Sequence, residues 1–224
     1  MSHITITYQE IEKIQRGRLL SSGAEGICYF LNEKTLFKLY KGLYLNRKIF
    51  CENLKSNSIA FPIDVYYYEN TGLIQGYSMK YMRGNQLISG FSPFLVLDAL
   101  KEAYQKIKKE IEKYPDIYMN DLFLRNILYD IPDNEFRLID TGSWYFKEQS
   151  LVSNLSNFNL ELMKAFCDYT LDFFNSTFYE NKKLRELYDL YLNKINEKDL
   201  FLLFLEEIQK EKDKVKVIGD IIFK

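Results

Sequence analysis

The hydrophobic period of this chain changes once, at Arg83-Gly84. Before it, apolar residues come in short or alternating runs at residues 18–20, 27–31, 35–40, 63–68 and 74–81. Ser21-Ser22-Gly23, Asn32-Glu33-Lys34 and Asn70-Thr71-Gly72 separate these runs. A period of two turns one strand face to a core, and Gly, Asn and Ser close the turns between strands. One helix is expected here, over residues 45–55, with Leu45, Ile49 and Leu54 near one face. After Arg83-Gly84, Leu97, Leu100, Tyr104, Ile107 and Ile111 mark a helix over 94–114 that Pro115 ends. Further helical spacing covers 157–175, 182–194 and 197–212, and a short apolar tail covers 215–223. The pattern predicts an α+β chain in two lobes. Residues 1–83 form a small antiparallel sheet with one helix, and residues 84–224 form a mainly helical lobe holding a loop and hairpin at 118–142.

Composition narrows the class. A chain of 224 residues is long enough for one large domain or two small lobes with real cores. Its 47% apolar and 27% charged content is that of a globular protein. Thirty basic and 31 acidic residues leave a net charge of −1, which gives no general pull toward nucleic acid or an anionic membrane. Cys28, Cys51 and Cys167 lie far apart, so reduced thiols are expected in place of a zinc site or disulfide framework. Residues 1–10 lack a basic stretch leading into an apolar run, and no apolar stretch approaches the ~18 residues that span a bilayer. The expectation is a cytoplasmic protein without a membrane span. His3 is the single histidine, in a stretch that reads as a mobile end. Ser-His-Asp and Cys-His catalysis and histidine-based metal sites are therefore excluded. Any chemistry falls to carboxylates, lysines, backbone amides and bound cations.

Such groups occur at suggestive spacing. Asp121 stands five residues ahead of Asn126, and Asp140 ends the apolar run Leu138-Ile139 just before Thr141-Gly142. One carboxylate can orient an attacking hydroxyl while an amide oxygen and a second carboxylate hold magnesium on a nucleotide's phosphates. The same three residues also suit a polar loop that caps helices and turns. Ser22-Gly23-Ala24-Glu25-Gly26 joins two strands, and its glycines let backbone amides approach phosphate oxygens. It serves equally as a plain hairpin turn. Lys38, amid Leu36, Phe37, Leu39 and Tyr40, shares a strand face with Leu36 and Tyr40. Its ammonium is either a point charge for phosphate in a cleft or a snorkelling surface group. Glu52 is the one carboxylate between Lys38 and Asp64, which makes it a candidate ion-pair partner or an ordinary solvated helix charge.

In this order the parts resemble the protein kinase-like superfamily, which includes eukaryotic-type protein kinases and aminoglycoside or choline phosphotransferases. The resemblance spans roughly residues 18–145 and implies a two-lobe fold, ATP and Mg2+. Ser21-Ser22-Gly23-Ala24-Glu25-Gly26 looks like the glycine-rich loop with its first glycine replaced by serine, which implies nucleotide contacts at Gly23, Ala24, Glu25 and Gly26. Lys38 matches the strand lysine on the α and β phosphates, and Glu52 the helix glutamate about one turn late. The stretch from Met79 to Gly84 resembles the inter-lobe hinge, where backbone near Lys80 and Met82 would meet adenine. Asp121 matches the catalytic-loop aspartate, Asn126 the second metal ligand, and Asp140-Thr141-Gly142 the metal-binding Asp-Phe-Gly triplet.

Departures from the family pattern carry information. Met119-Asn120 stands where a His-Arg or His-Gly pair precedes the aspartate, so the arginine that reads a phosphorylated activation loop is missing. No Ala-Pro-Glu triplet follows Asp140, and helix is expected to resume by about Asn157, which leaves little platform for a peptide. The resemblance implies a kinase acting on a protein Ser, Thr or Tyr hydroxyl. Its rivals are a small-molecule phosphotransferase and a pseudokinase that acts as a binding module. Trp144 reads mainly as core, and alternatively as the wall of a substrate cleft. The chain's 18 Tyr and 17 Phe read as core packing.

Overall fold

A computed structural model describes residues 2–42, 49, 51, 54–91, 96–169, 180–195 and 197–211. The chain is mixed α+β, with a mostly antiparallel six-stranded sheet and five α-helices among those residues. It divides into two compact units, Met1–Met82 with Ile139–Phe146, and Arg83–Leu138 with Lys147–Lys224. Residues 139–146, read from the sequence as part of the second lobe, thus pack with the first. Among the described residues no helix is long and apolar enough to cross a membrane.

The first unit contains β1 (His3–Ile6), α1 (Tyr8–Gln15), β2 (Leu19–Ser22), β3 (Gly26–Asn32), β4 (Thr35–Tyr40), β5 (Pro62–Tyr68) and β6 (Ile74–Lys80). The sheet order is β1-β5-β6-β4-β3-β2, and only the β1–β5 pair is parallel. β4 lies inside the sheet and is buried on both faces. Phe37 and Leu39 pack with Ile6, Ile11 and Tyr29, while Leu36 and Tyr40 pack with Ile49, Val65, Tyr77 and Met79. Gly76 on β6 permits that packing, because a Cβ there would lie 2.0 Å from the Lys38 carbonyl oxygen.

The amino-terminal stretch, expected as a mobile end, is instead a strand followed by a capped helix. The Thr7 hydroxyl accepts the Glu10 N–H at 3.2 Å, and the Glu10 carboxylate accepts the Thr7 N–H at 2.8 Å. This reciprocal cap satisfies two donors that a helix start leaves open. The helix expected over 45–55 lies mostly outside the described residues. Within it Ile49 is buried, and Leu54 and Lys55 are irregular.

In the second unit, β7 (Asn85–Gln86), β9 (Ile127–Asp130) and β10 (Glu135–Leu138) form an antiparallel sheet, and β8 (Ile117–Tyr118) is a short strand outside it. α2 (Leu97–Glu112), α3 (Leu151–Tyr169), α4 (Lys182–Leu192) and α5 (Leu200–Lys210) supply the rest. α2 buries Leu97, Leu100, Tyr104, Ile107 and Ile111, the positions that the spacing marks. α3 begins six residues ahead of the expected start at 157, because its first turns bury Asn154, Ser156 and Asn159 beside Leu155 and Phe158. Polar residues on a buried face broke the apolar stripe that sequence reading depends on.

Asn159 shows why they are tolerated. Its Oδ1 accepts the Phe201 N–H at 2.9 Å and the Tyr104 hydroxyl at 3.1 Å, and its Nδ2 donates to Leu155 O at 2.7 Å and Lys198 O at 3.0 Å. One fully satisfied amide ties α3 to α2 and to the start of α5. Asn159→Ala leaves these groups short of partners and is expected to lower stability by about 2–3 kcal/mol. Urea unfolding followed by circular dichroism measures it, and a loss under about 0.5 kcal/mol would contradict this account.

Candidate functional site

The candidate residues of the first unit meet around Lys38. The residue is only 5% exposed, although it carries a charge. In register it faces Cys28 on β3 and Tyr77 on β6, so these three side chains share the face of Leu36 and Tyr40. The Lys38 ammonium donates to Glu25 Oε2 at 3.1 Å and to Asp140 Oδ1, and it lies 5.9 Å from the Tyr40 ring centroid. Burial pulls the lysine pKa down, but the Asp140 and Glu25 carboxylates outweigh it and hold the value above the ordinary one. Lys38 is thus a buried, paired cation and not a snorkelling surface group.

Asp140 reaches that lysine from a left-handed backbone conformation, φ 60° and ψ 46°, which Asp tolerates better than most residues. Its neighbours fix it there. The Thr141 hydroxyl donates to Ala60 O at 2.7 Å, and the Tyr77 hydroxyl donates to Asp140 Oδ1 at 3.4 Å. A Cβ on Gly142 would sit 2.6 Å from the Tyr77 ring, so only glycine fits. Burial first, then the Asp140 charge, pushes the Tyr77 phenol well above its usual value, so it stays a neutral donor. Trp144 is 1% exposed and packs edge-to-face on Phe61 at 5.9 Å, which settles it as core. These anchors hold residues 139–146 on the first unit.

The turn from Ser22 to Gly26 is braced by its own backbone. The Gly23 N–H donates to Gly26 O at 2.9 Å, and the Lys41 N–H to Glu25 O at 2.9 Å. The Lys41 ammonium binds Ser22 Oγ at 3.0 Å and Gly23 O at 2.8 Å. Lys80 ends β6 with its side chain exposed, the Met82 side chain is buried, and the intervening Tyr81 N–H donates to Lys34 O at 2.8 Å. Glu52 lies outside the described residues. The described partners of Lys38 are Glu25 and Asp140. Sequence reasoning placed Glu25 in the phosphate turn but missed its pairing, because it sought a carboxylate only downstream of the lysine.

The remaining candidates lie in the second unit. Asp121 has φ 58°, and its carbonyl accepts the Asn126 Nδ2 at 2.8 Å, so the five-residue gap is the span that closes this loop. The Phe123 carbonyl accepts the Asn126 N–H at 2.7 Å. Three side chains absent from the sequence reading hold the loop from outside. Glu161 Oε2 accepts the Leu124 N–H at 2.8 Å, Gln86 Nε2 donates to Arg125 O at 2.7 Å, and buried Asn154 bridges the Met119 N–H and Ile117 O at 3.0 and 2.6 Å. Burial raises the Glu161 pKa against the opposing pull of the Leu124 N–H. Polar residues at helical spacing in α3 were the available signal for two of them. Beside Asp121 a cleft of about 480 Å³ is lined by Tyr118, Asn120, Asn157, Glu161, Lys164 and Tyr191 among others.

Among the described residues no three His, Cys, Asp or Glu side chains converge as a metal cage. Taken singly, the Asp140 carboxylate of the first unit and the Asn126 amide of the second are hard oxygen donors, the type that magnesium accepts. In the first unit, a charged lysine beside a carboxylate and a glycine turn fits a metal-loaded polyphosphate.

The turn also yields a stability test. A Cβ on Gly26 would lie 2.5 Å from Leu39 O, whereas one on Gly23 meets nothing closer than 4.0 Å. Gly26→Ala should cost about 1–3 kcal/mol and Gly23→Ala within about 0.5 kcal/mol. Thermal melts of both variants check the contrast.

No family model matches the chain, and no curated protein matches it in sequence.

Proposed function

We propose that the chain is a two-lobe, protein kinase-like phosphotransferase that moves the γ-phosphate of ATP to a hydroxyl, with a protein Ser, Thr or Tyr as acceptor. The observation that carries this reading is the meeting of Lys38 with Asp140, 102 residues away in sequence, on a buried strand face. Structural ion pairs seldom justify burying a lysine, since taking both charges out of water offsets most of their attraction. A lysine held charged for an anionic ligand gives the burial a purpose.

In this reading Lys38 steadies the α and β phosphates, and the turn Gly23, Ala24, Glu25 and Gly26 faces them. Backbone near Lys80 and Met82 meets the adenine. Asp140 and Asn126 hold Mg2+, which when bound offsets charge on the phosphates. Asp121 orients the acceptor hydroxyl and draws off its proton as the oxygen bonds to phosphorus and the bond to the ADP oxygen breaks. A second reading, a small-molecule acceptor, is favoured by the cleft beside Asp121.

Labelled ATP with Mg2+ tests the reading. Label should reach an added protein or small hydroxyl compound with wild type, and Asp140→Ala should abolish transfer. Asp121→Asn should lower kcat about a hundredfold or more. Nucleotide binding without turnover would indicate a binding module, and absence of both would overturn the proposal. Full activity in Asp121→Asn would remove its assigned role alone.

A further inference from the structure

The cleft beside Asp121 lies wholly in the second unit, and its wall carries charges of both signs. A volume of about 480 Å³ suits a small molecule. Four charged side chains line it: Asp121 of the loop, Glu161 and Lys164 of α3, and Lys194 just past α4. The carboxylates already have tasks. Asp121 orients the acceptor hydroxyl in the proposed function, and Glu161 accepts the Leu124 N–H at 2.8 Å. The lysines have none. Both are exposed, and among the described residues neither ammonium enters a hydrogen bond or an ion pair. Lys164 and Arg125 act on the Glu161 charge from beyond contact distance, and the Arg125 guanidinium lies 5.1 Å from the Phe123 ring centroid. The elements that carry the lysines are braced. The Tyr191 phenol donates to the two oxygens of Asp168 at 3.1 and 3.0 Å, which ties α4 to α3 and engages that carboxylate. The Lys194 N–H donates to Tyr191 O at 3.0 Å and the Ile195 N–H to Leu190 O at 2.9 Å, so the turn ending α4 holds Lys194 in place.

We infer that the acceptor is a small hydroxy acid, a hydroxyl compound with a carboxylate on the same molecule, and that Lys164 and Lys194 hold its acid group. The inference rests on the phosphotransferase reading with a small-molecule acceptor. Each ammonium offers three donors, and a carboxylate placed there exchanges water for charge-assisted hydrogen bonds. Leu160, Leu192 and Phe123 add apolar wall for a carbon skeleton. With the acid at the lysines, the hydroxyl is left for Asp121. Its oxygen bonds to the γ-phosphorus as the bond to the ADP oxygen breaks, and its proton passes to Asp121. The product is the phosphate ester of the acid. A cationic alcohol suits this wall badly, because its charge meets two ammoniums. The carboxylates offer it little in return: Asp121 is needed at the hydroxyl, and Glu161 is held by the Leu124 N–H and by the charges of Lys164 and Arg125. A neutral alcohol leaves the lysines in water and gains nothing from them.

The test follows transfer from labelled ATP with Mg2+ to alcohols that differ in charge. Glycerate, 4-hydroxybutyrate and mandelate are each compared with their neutral primary amides, with choline as the cationic alcohol and a serine peptide as the protein-type acceptor. At least one acid should accept label with kcat/KM about tenfold or more above its amide, and choline should accept none. Lys164→Met and Lys194→Met should each raise KM for that acid about tenfold, with a smaller change in kcat, whereas Lys164→Arg and Lys194→Arg should retain most of its binding. Both lysines are exposed, so the fold should persist in these variants; thermal melts verify it. The advantage of acid over amide should shrink at high salt, as a charge effect requires. Preference for an amide or for choline would overturn the inference while the phosphotransferase reading stands. So would an acid preference that survives both Met substitutions, or label on the serine peptide and on none of the acids. ATP consumed with label on no acceptor would count against it in the same way. If ATP is neither bound nor consumed, the phosphotransferase reading itself fails and the inference falls with it.

Discussion

A lysine inside a sheet must find its counter-charge or lose its proton, and much of the first unit is arranged around that requirement. β4 is an interior strand, so Lys38 cannot reach solvent as an edge lysine does. Its partners come from two distant places, the turn before β3 and the segment from Ile139. Removing one member of a buried, hydrogen-bonded pair typically costs about 3–5 kcal/mol, because the other is left charged and dry. That asymmetry makes the pairing a strong constraint on where Asp140 sits. The Thr141 bond to Ala60 and the close fit of Gly142 on Tyr77 then fix the backbone on either side.

The second unit solves its packing differently. Its core is aromatic, with Phe91 stacked on Phe201 and Tyr104 on Phe158, and amide side chains serve as brackets between elements. Asn154 and Asn159 both sit on α3, buried, and most of their contacts join chain segments that the apolar packing alone would leave free to slide. Apolar contacts set the density of a core, while directional bonds select one arrangement of it. The loop around Asp121 is held by the same device, through Asn126 from within and Glu161 and Gln86 from outside.

The parts legible in sequence are those whose physics is local. The alternating runs of β3 to β6 and the apolar spacing of α2, α4 and α5 placed these elements within a few residues, since period and turn chemistry are properties of short windows. The Asp121–Asn126 spacing was legible for the same reason. β1 and α1 were missed, although Thr7 and Glu10 carry a capping-box signature, because eight residues of weak apolar spacing read as a tail. The start of α3 was lost to its buried asparagines. Glu25 was named for the correct turn but not for its partner, because a contact across two strands has no fixed sequence interval. Lys38 and Asp140 were named separately, and nothing in the residue order fixes the bond between them.

The parallel strand at the sheet's edge has a consequence of another kind. β1 covers the outer side of β5, whose Val65, Tyr66, Tyr67 and Tyr68 pair with residues 3–6. Uncovered, that run would present an aromatic, uncharged ladder of open donors and acceptors, the kind of border along which separate molecules join. This four-residue strand, with His3 laid against Tyr67 at 5.1 Å, pairs that border and leaves its own shorter run as the sheet's edge. Without it the exposed border would lengthen from four residues to seven, an effect that would surface at high concentration rather than in any measure of chemistry.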